Sequence, residues 1–182
     1  MKKTVVRCSL FLMLLIFAGS ARAATYVGNT SYDGETWSVA GNYNTFIGDG
    51  TRAANLADAN TFVGINSGLN NTTGERNTFL GSFSGLSNTT GDYNTFLGYG
   101  AGSLNTEGYS NVFVGHGAGN ANTLGYYNTF VGNGAGNSTT EGFGNIFVGA
   151  GAGYTNTIGD GNIFIGGQAG YTTTLPVTEI SA

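Results

Sequence analysis

The pentapeptide Asn-x-Phe-aliphatic-Gly begins at Asn44, Asn60, Asn77, Asn94, Asn111, Asn128, Asn145 and Asn162, sixteen residues apart once and seventeen thereafter. A repeat this short and regular leaves few folds open, because each unit must be one copy of the same structural step. Seventeen residues cannot hold a helical hairpin. They can hold two strands of about five residues each and two tight turns. The residue types agree: Thr, Phe, Val and Ile favour strands, and the recurring Gly and Asn tolerate the positive φ that turns require. One coil cannot bury its own apolar face, so coils must stack. The expectation is an all-β parallel β-solenoid, a β-roll of about eight 17-residue coils over residues 44–175. At about 4.8 Å per coil it is on the order of 40 Å long.

Stacking turns each repeat position, counted from the Asn, into a ladder. Position 1 forms an amide ladder along a turn edge through Asn60, Asn77, Asn94, Asn111, Asn128, Asn145 and Asn162. Position 3 forms an aromatic stack through Phe62, Phe79, Phe96, Phe113, Phe130, Phe147 and Phe164. Positions 8 and 9 are small (Ala135-Gly136, for example), which leaves room for the ring inside the roll. Neighbours on a strand point to opposite faces, so position 4 then looks outward, although it is always aliphatic. A second apolar stripe needs cover, and a copy of the same chain supplies it. Val114, Val131, Val148 and Ile165 are therefore assigned to an oligomer interface, whereas Thr139, on the varied return strand, is expected to accept even Asp.

The flanks are off-repeat. Residues 1–23 read as a Sec signal peptide: Lys2, Lys3 and Arg7, then an apolar run over Leu10–Ala18, then Ala21-Arg22-Ala23 as the cleavage site. The apolar run is short for a membrane span, and no span is expected after cleavage. Residues 24–43 are assigned as an N-terminal cap and 176–182 as a C-terminal tail in which Pro176 blunts the sheet edge. The expected location is extracellular, at the cell surface, or in the periplasm. After cleavage, two arginines face ten acidic residues, a formal charge of −8. Such a chain cannot neutralise a run of phosphates, so a nucleic-acid partner is excluded, as is attraction to an anionic lipid surface.

Asn-Thr-Phe-Val-Gly-x-Gly-Ala-Gly, as at Asn128–Gly136, resembles the head repeat of trimeric autotransporter adhesins, whose units run like Asn-Ser-Val-Ala-Ile-Gly-x-x-Ala. Similar Asn-Thr-x-x-Gly arrays occur in tail-fibre-like bacterial and phage proteins. The resemblance spans residues 44–175 and implies a left-handed β-roll, a homotrimer, and an adhesive or display role. Two departures are plain: the period here is longer, and Phe stands where those repeats usually have Ala. Autotransport is not implied, since neither a heptad stalk nor an anchoring segment appears in these residues.

Little in the sequence invites catalysis. His116 is the single histidine and sits at a freely varying position; Cys8, the single cysteine, lies in the leader. Zinc ligation, a Ser-His-Asp triad and thiol chemistry therefore have no constellation to use. Asp49, Asp58, Asp92 and Asp160 stand in Gly-flanked turns and build no calcium ladder. No catalytic residue, cofactor or metal is expected. The reading is an exported, non-enzymatic structural module that adheres to a host or matrix surface or displays something there. A self-assembling amyloid-like matrix protein is the alternative, followed by an ice- or glycan-binding solenoid. Far-UV circular dichroism of the chain from Ala24 should show β structure; helix above about a third of residues, the share in an average globular protein, would end the solenoid reading.

Overall fold

The computed structural model describes residues 25–27, 43–51, 57–172 and 180–181; the leader, most of the 24–43 segment and Pro176 lie outside them. Ten short strands form one parallel sheet in chain order. They are β1 (Thr25–Val27), β2 (Thr45–Ile47), β3 (Thr61–Val63), β4 (Thr78–Leu80), β5 (Thr95–Leu97), β6 (Val112–Val114), β7 (Thr129–Val131), β8 (Ile146–Val148), β9 (Ile163–Ile165) and β10 (Ile180–Ser181). Register never slips: Thr78 faces Thr95, Phe79 faces Phe96 and Leu80 faces Leu97, and so on along the rod. The chain is a parallel β-solenoid with seven turns between β2 and β9. β1 pairs with β2 from the segment assigned as a cap, and β10 pairs with β9 from the C-terminal tail. The shorter first repeat does not disturb this, because Asn60 N still donates to Asn44 Oδ1 at 2.7 Å.

Each fully described coil contains one strand of three residues, not two of five. The return path shows why. Gly102 N and Leu104 N donate onward to Ala118 O and Asn120 O, while Ala101 N, Ser103 N and Asn105 N turn back to carbonyls three residues earlier. Inter-coil bonds thus alternate with turn closures, and the backbone never extends far enough to form a paired ladder. Small and amide residues at positions 8 to 12 permit this tight path.

Within the strands the alternation is strict. The Phe of every repeat is buried and its neighbours on both sides are partly or fully exposed. Rings from Phe62 to Phe164 stack with centroids 4.7–5.0 Å apart, the separation that a coil rise imposes. Alanines at position 8 complete this core. The glycine at position 9 is what admits the ring. Gly136 has φ +57°, and a Cβ there would overlap Phe130; the same holds from Gly68 to Gly170. At position 5 the glycine ends the strand with φ of 125–143°, and a Cβ would run into the next coil's backbone.

The facing of the Phe ladder fixes two expected costs. Phe130→Ala should lower stability by about 3–5 kcal/mol through the cavity it leaves. Gly136→Ala should cost about 1–3 kcal/mol through overpacking against the same ring. Urea denaturation measures both, and a neutral result for either would place the ring elsewhere.

Candidate functional site

The interior is held by amides as much as by rings. Asn77 Nδ2 donates to Gly91 O at 2.7 Å and Asn77 Oδ1 accepts Asn94 N at 2.9 Å. The first bond closes the coil across its interior; the second ties it to the next coil. The same pair of bonds repeats through Asn145. All the position 1 asparagines are buried, so the predicted amide ladder exists but stands inside the roll.

A second amide ladder, not expected from the sequence, runs at position 12. Asn71, Asn88, Asn105, Asn122 and Asn156 are fully buried, as is Thr139, which takes that place in one coil. Asn88 Nδ2 donates to Asn71 Oδ1, Asn105 Nδ2 to Asn88 Oδ1 and Asn122 Nδ2 to Asn105 Oδ1, at 2.6–2.7 Å. The signal was present: Asn recurs with the 17-residue period in five of these six coils. The sequence-based expectation for Thr139 is corrected accordingly. Its side chain is inside, its hydroxyl donates to Asn156 O at 2.9 Å, and no room or solvent exists there for a carboxylate. Thr139 also breaks the ladder. Asn122 Oδ1 and Asn156 Nδ2, on either side of it, are buried without a partner in the chain.

Outside, three surfaces differ in chemistry. The first is the outer sheet face, made by positions 2 and 4. It carries Thr at four of its first five position 2 sites from Thr45 to Val112, and turns aliphatic at Ile146, Val148, Ile163 and Ile165. Val114 and Val131 are half-buried, and Val148 and Ile165 exposed. The second is an aromatic run at position 16, where Tyr109, Tyr126 and Phe143 stack almost parallel at 4.9 Å, with Tyr127 edge-on beside them. Desolvation there, then the phenols of Tyr127 and Tyr126, hold the Tyr109 hydroxyl above its ordinary value. Asp92 and Asp160, at the same position in other coils, accept the backbone N–H of Glu75 and Phe143. The third surface is a trough bordered by Tyr99 and His116, whose rings stack at 5.4 Å.

None of these surfaces gathers the groups of a reaction centre. His116 is exposed and touches an aromatic ring rather than an acid or a nucleophile. Among the described residues no three His, Cys, Asp or Glu side chains converge on a possible metal site, and no helix is long and apolar enough to cross a membrane. The Thr ladder at position 13 turns its hydroxyls inward along the rod: Thr89, Thr106 and Thr123 each donate to the next coil's Thr carbonyl at 3.1 Å. Comparison with protein families, with curated proteins and with solved structures finds no match.

The broken ladder yields opposite expectations for two substitutions at one site. Thr139→Asn restores a donor toward Asn122 and an acceptor toward Asn156, and should raise stability by about 1–2 kcal/mol. Thr139→Asp buries an unpaired charge beside the Asn122 oxygen and should cost several kcal/mol, on the order of the penalty for an uncompensated buried ion. Midpoints of urea unfolding separate the two, and equal midpoints would mean that this position is solvated.

Proposed function

We propose that this chain is an exported, non-enzymatic structural module that adheres to or displays on a surface, and that it works as a homotrimer packed through its outer sheet face. The observation that carries the assembly is the stripe formed by positions 2 and 4. Ile146, Val148 and Ile165 are 36–47% exposed although aliphatic, and they follow one another along an in-register ladder. Isolated exposed aliphatic residues are ordinary, but a continuous stripe is characteristic of an interface. A three-fold axis parallel to the rod would bring three stripes together over their whole length. The repeat's resemblance to adhesin heads supports the same arrangement, and the leader at residues 1–23 supports export.

The absence of catalysis in this reading follows from where the polar groups are used. Among the described residues the buried polar side chains are Asn, Ser and Thr, without a carboxylate, imidazole or ammonium, and their hydrogen bonds run almost wholly to the repeat's own backbone and amides. Such a scaffold supplies length, rigidity and a periodic surface. Those are the requirements of adhesion and display, not of turnover.

Sedimentation velocity tests the assembly. The chain should sediment as a trimer, and Val148→Asp should dissociate it, because a charge there is buried three times beside its own symmetry mates. A monomeric parent chain, or an unchanged trimer in Val148→Asp, would overturn the interface. Material that pellets as fibres would favour end-to-end assembly instead.

A further inference from the structure

Position 7 opens a trough along part of the rod. Gly100, Gly117, Gly134 and Gly151 hold that place in four consecutive coils, whereas Asn66, Phe83 and Gln168 fill it in flanking coils. Tyr171 lies against Gly151, so the trough runs over Gly100, Gly117 and Gly134, and three coils extend about 14 Å at about 4.8 Å each. One wall is built by position 6 with Tyr99, His116 and Asn133, and the other by position 10 with Asn120, Asn137 and Tyr154, which lean over the glycine of the preceding coil. They enclose about 320 Å³, inside the range of about 300–1,000 Å³ usual for ligand sites. The trough has ends even though the repeat continues. Phe83 meets Tyr99 edge-on at 5.5 Å on one side, and Tyr171 stacks on Tyr154 at 5.0 Å on the other.

The walls are prepared rather than loose. Asn120 Nδ2 donates to Gly100 O and Asn137 Nδ2 to Gly117 O, both at 3.2 Å. Each bond fixes the amide plane and leaves the amide oxygen and the second N–H proton for a ligand. The lining holds no carboxylate, ammonium or guanidinium group, so a charged polymer would find no complementary charge. A peptide adding as a strand would need free backbone groups. Here Gly100, Gly117 and Gly134 already donate their N–H groups to Ser82, Tyr99 and His116.

We infer that the trough binds a neutral glycan lying along the rod axis, with about one sugar unit over each coil. The chemistry of the lining fits that ligand on three counts. Tyr99 is engaged by Phe83 and His116, but the His116 face turned from Tyr99 and the Tyr154 face turned from Tyr171 suit the C–H faces of pyranose rings, since an aromatic face attracts weakly positive hydrogens. Fixed amides suit neighbouring hydroxyls, giving and accepting one hydrogen bond each. An elongated site with a one-coil step suits a linear polymer of similar repeat. The trough lies beyond the position 5 turn from the strand face, so trimer formation through that face leaves it accessible. The inference deepens the adhesive reading by naming a ligand class, and rests on it only for the setting in which a glycan would be met.

Isothermal titration calorimetry of the secreted chain with cellohexaose, chitohexaose, maltohexaose and mannohexaose tests this, with an alginate hexamer as the acidic control. At least one neutral hexasaccharide should bind, and the acidic one should not. Gly117→Gln should weaken binding at least tenfold by filling the floor. Gln168 already occupies that place with φ +61°, so the variant should keep the parent circular dichroism. Tyr99→Ala and Asn137→Ala should each weaken binding at least fivefold. No neutral sugar bound at millimolar concentration, affinity unchanged in Gly117→Gln, or preference for the acidic sugar would overturn the inference. Sedimentation of the same samples keeps the two readings apart: a trimer without sugar binding sinks only the trough, and a sugar-binding monomer sinks only the interface.

Discussion

The fold depends on one backbone carbonyl per coil that accepts a side-chain amide from position 1, as Gly142 O and Gly159 O do, and that in the four coils closed by Gly74, Gly91, Gly108 and Gly125 accepts a second from position 12. Gly91 O receives Asn77 Nδ2 at 2.7 Å and Asn88 Nδ2 at 3.0 Å, and Gly108 O receives Asn94 and Asn105 in the same way. The two amides come from opposite sides of the coil, so the carbonyl knots the beginning of the coil to its end. Both of its lone pairs are then used, and burial of the group costs little. A coil with one Phe and one Ala inside has too little apolar surface to close on hydrophobic burial alone. Neutral hydrogen bonds in a dry interior supply the remaining constraint, and they do so without charge to desolvate.

Once the coil is closed, translation does the rest. The amide oxygen of each position 1 Asn accepts the backbone N–H of its counterpart in the next coil, as Asn77 does from Asn94. Each Phe lies on the next Phe, and the position 12 amides of Asn88, Asn105 and Asn122 donate to their predecessors. These contacts are between identical positions, and even the 16-residue first step keeps them: Asn60 N bonds to Asn44 Oδ1, and Phe46 stacks on Phe62. Substitution within a position is penalised in the interior and free outside. That asymmetry explains why the outer positions 6, 10, 14 and 16, exposed or half-buried, wander along the rod while positions 1, 3 and 5 do not. Surface chemistry can therefore change from coil to coil on a constant frame. The aliphatic stripe, the Tyr109–Tyr126–Phe143 stack and the glycine-floored trough are three results of that freedom.

The interior break at Thr139 belongs to the same logic. A hydroxyl replaces an amide, one bond to Asn156 O is gained, and two neighbouring amide atoms lose their partners. The stack tolerates the loss because the position 1 ladder and the Phe ladder pass through that coil unbroken.

The period, the stacking, the inward Phe and the small residues that make room for it were all legible in the sequence, because each is a property of one position repeated at a fixed interval. The number of strands per coil was not. Whether a run of small and amide residues extends or turns depends on which carbonyls lie within reach, and for Gly102 to Asn105 those belong to both the next coil and its own. The burial of position 12 was equally hidden, since an Asn in a return segment reads as a turn former until its neighbours above and below are known. The trough was hidden for a related reason: Gly at position 7 and the side chains at positions 6 and 10 are ordinary separately, and only coil closure sets them as floor and walls. Sequence by itself determined what repeats and what must be inside. Tertiary structure decided which side of the coil each polar residue serves, because that depends on distances across a turn that no linear spacing contains.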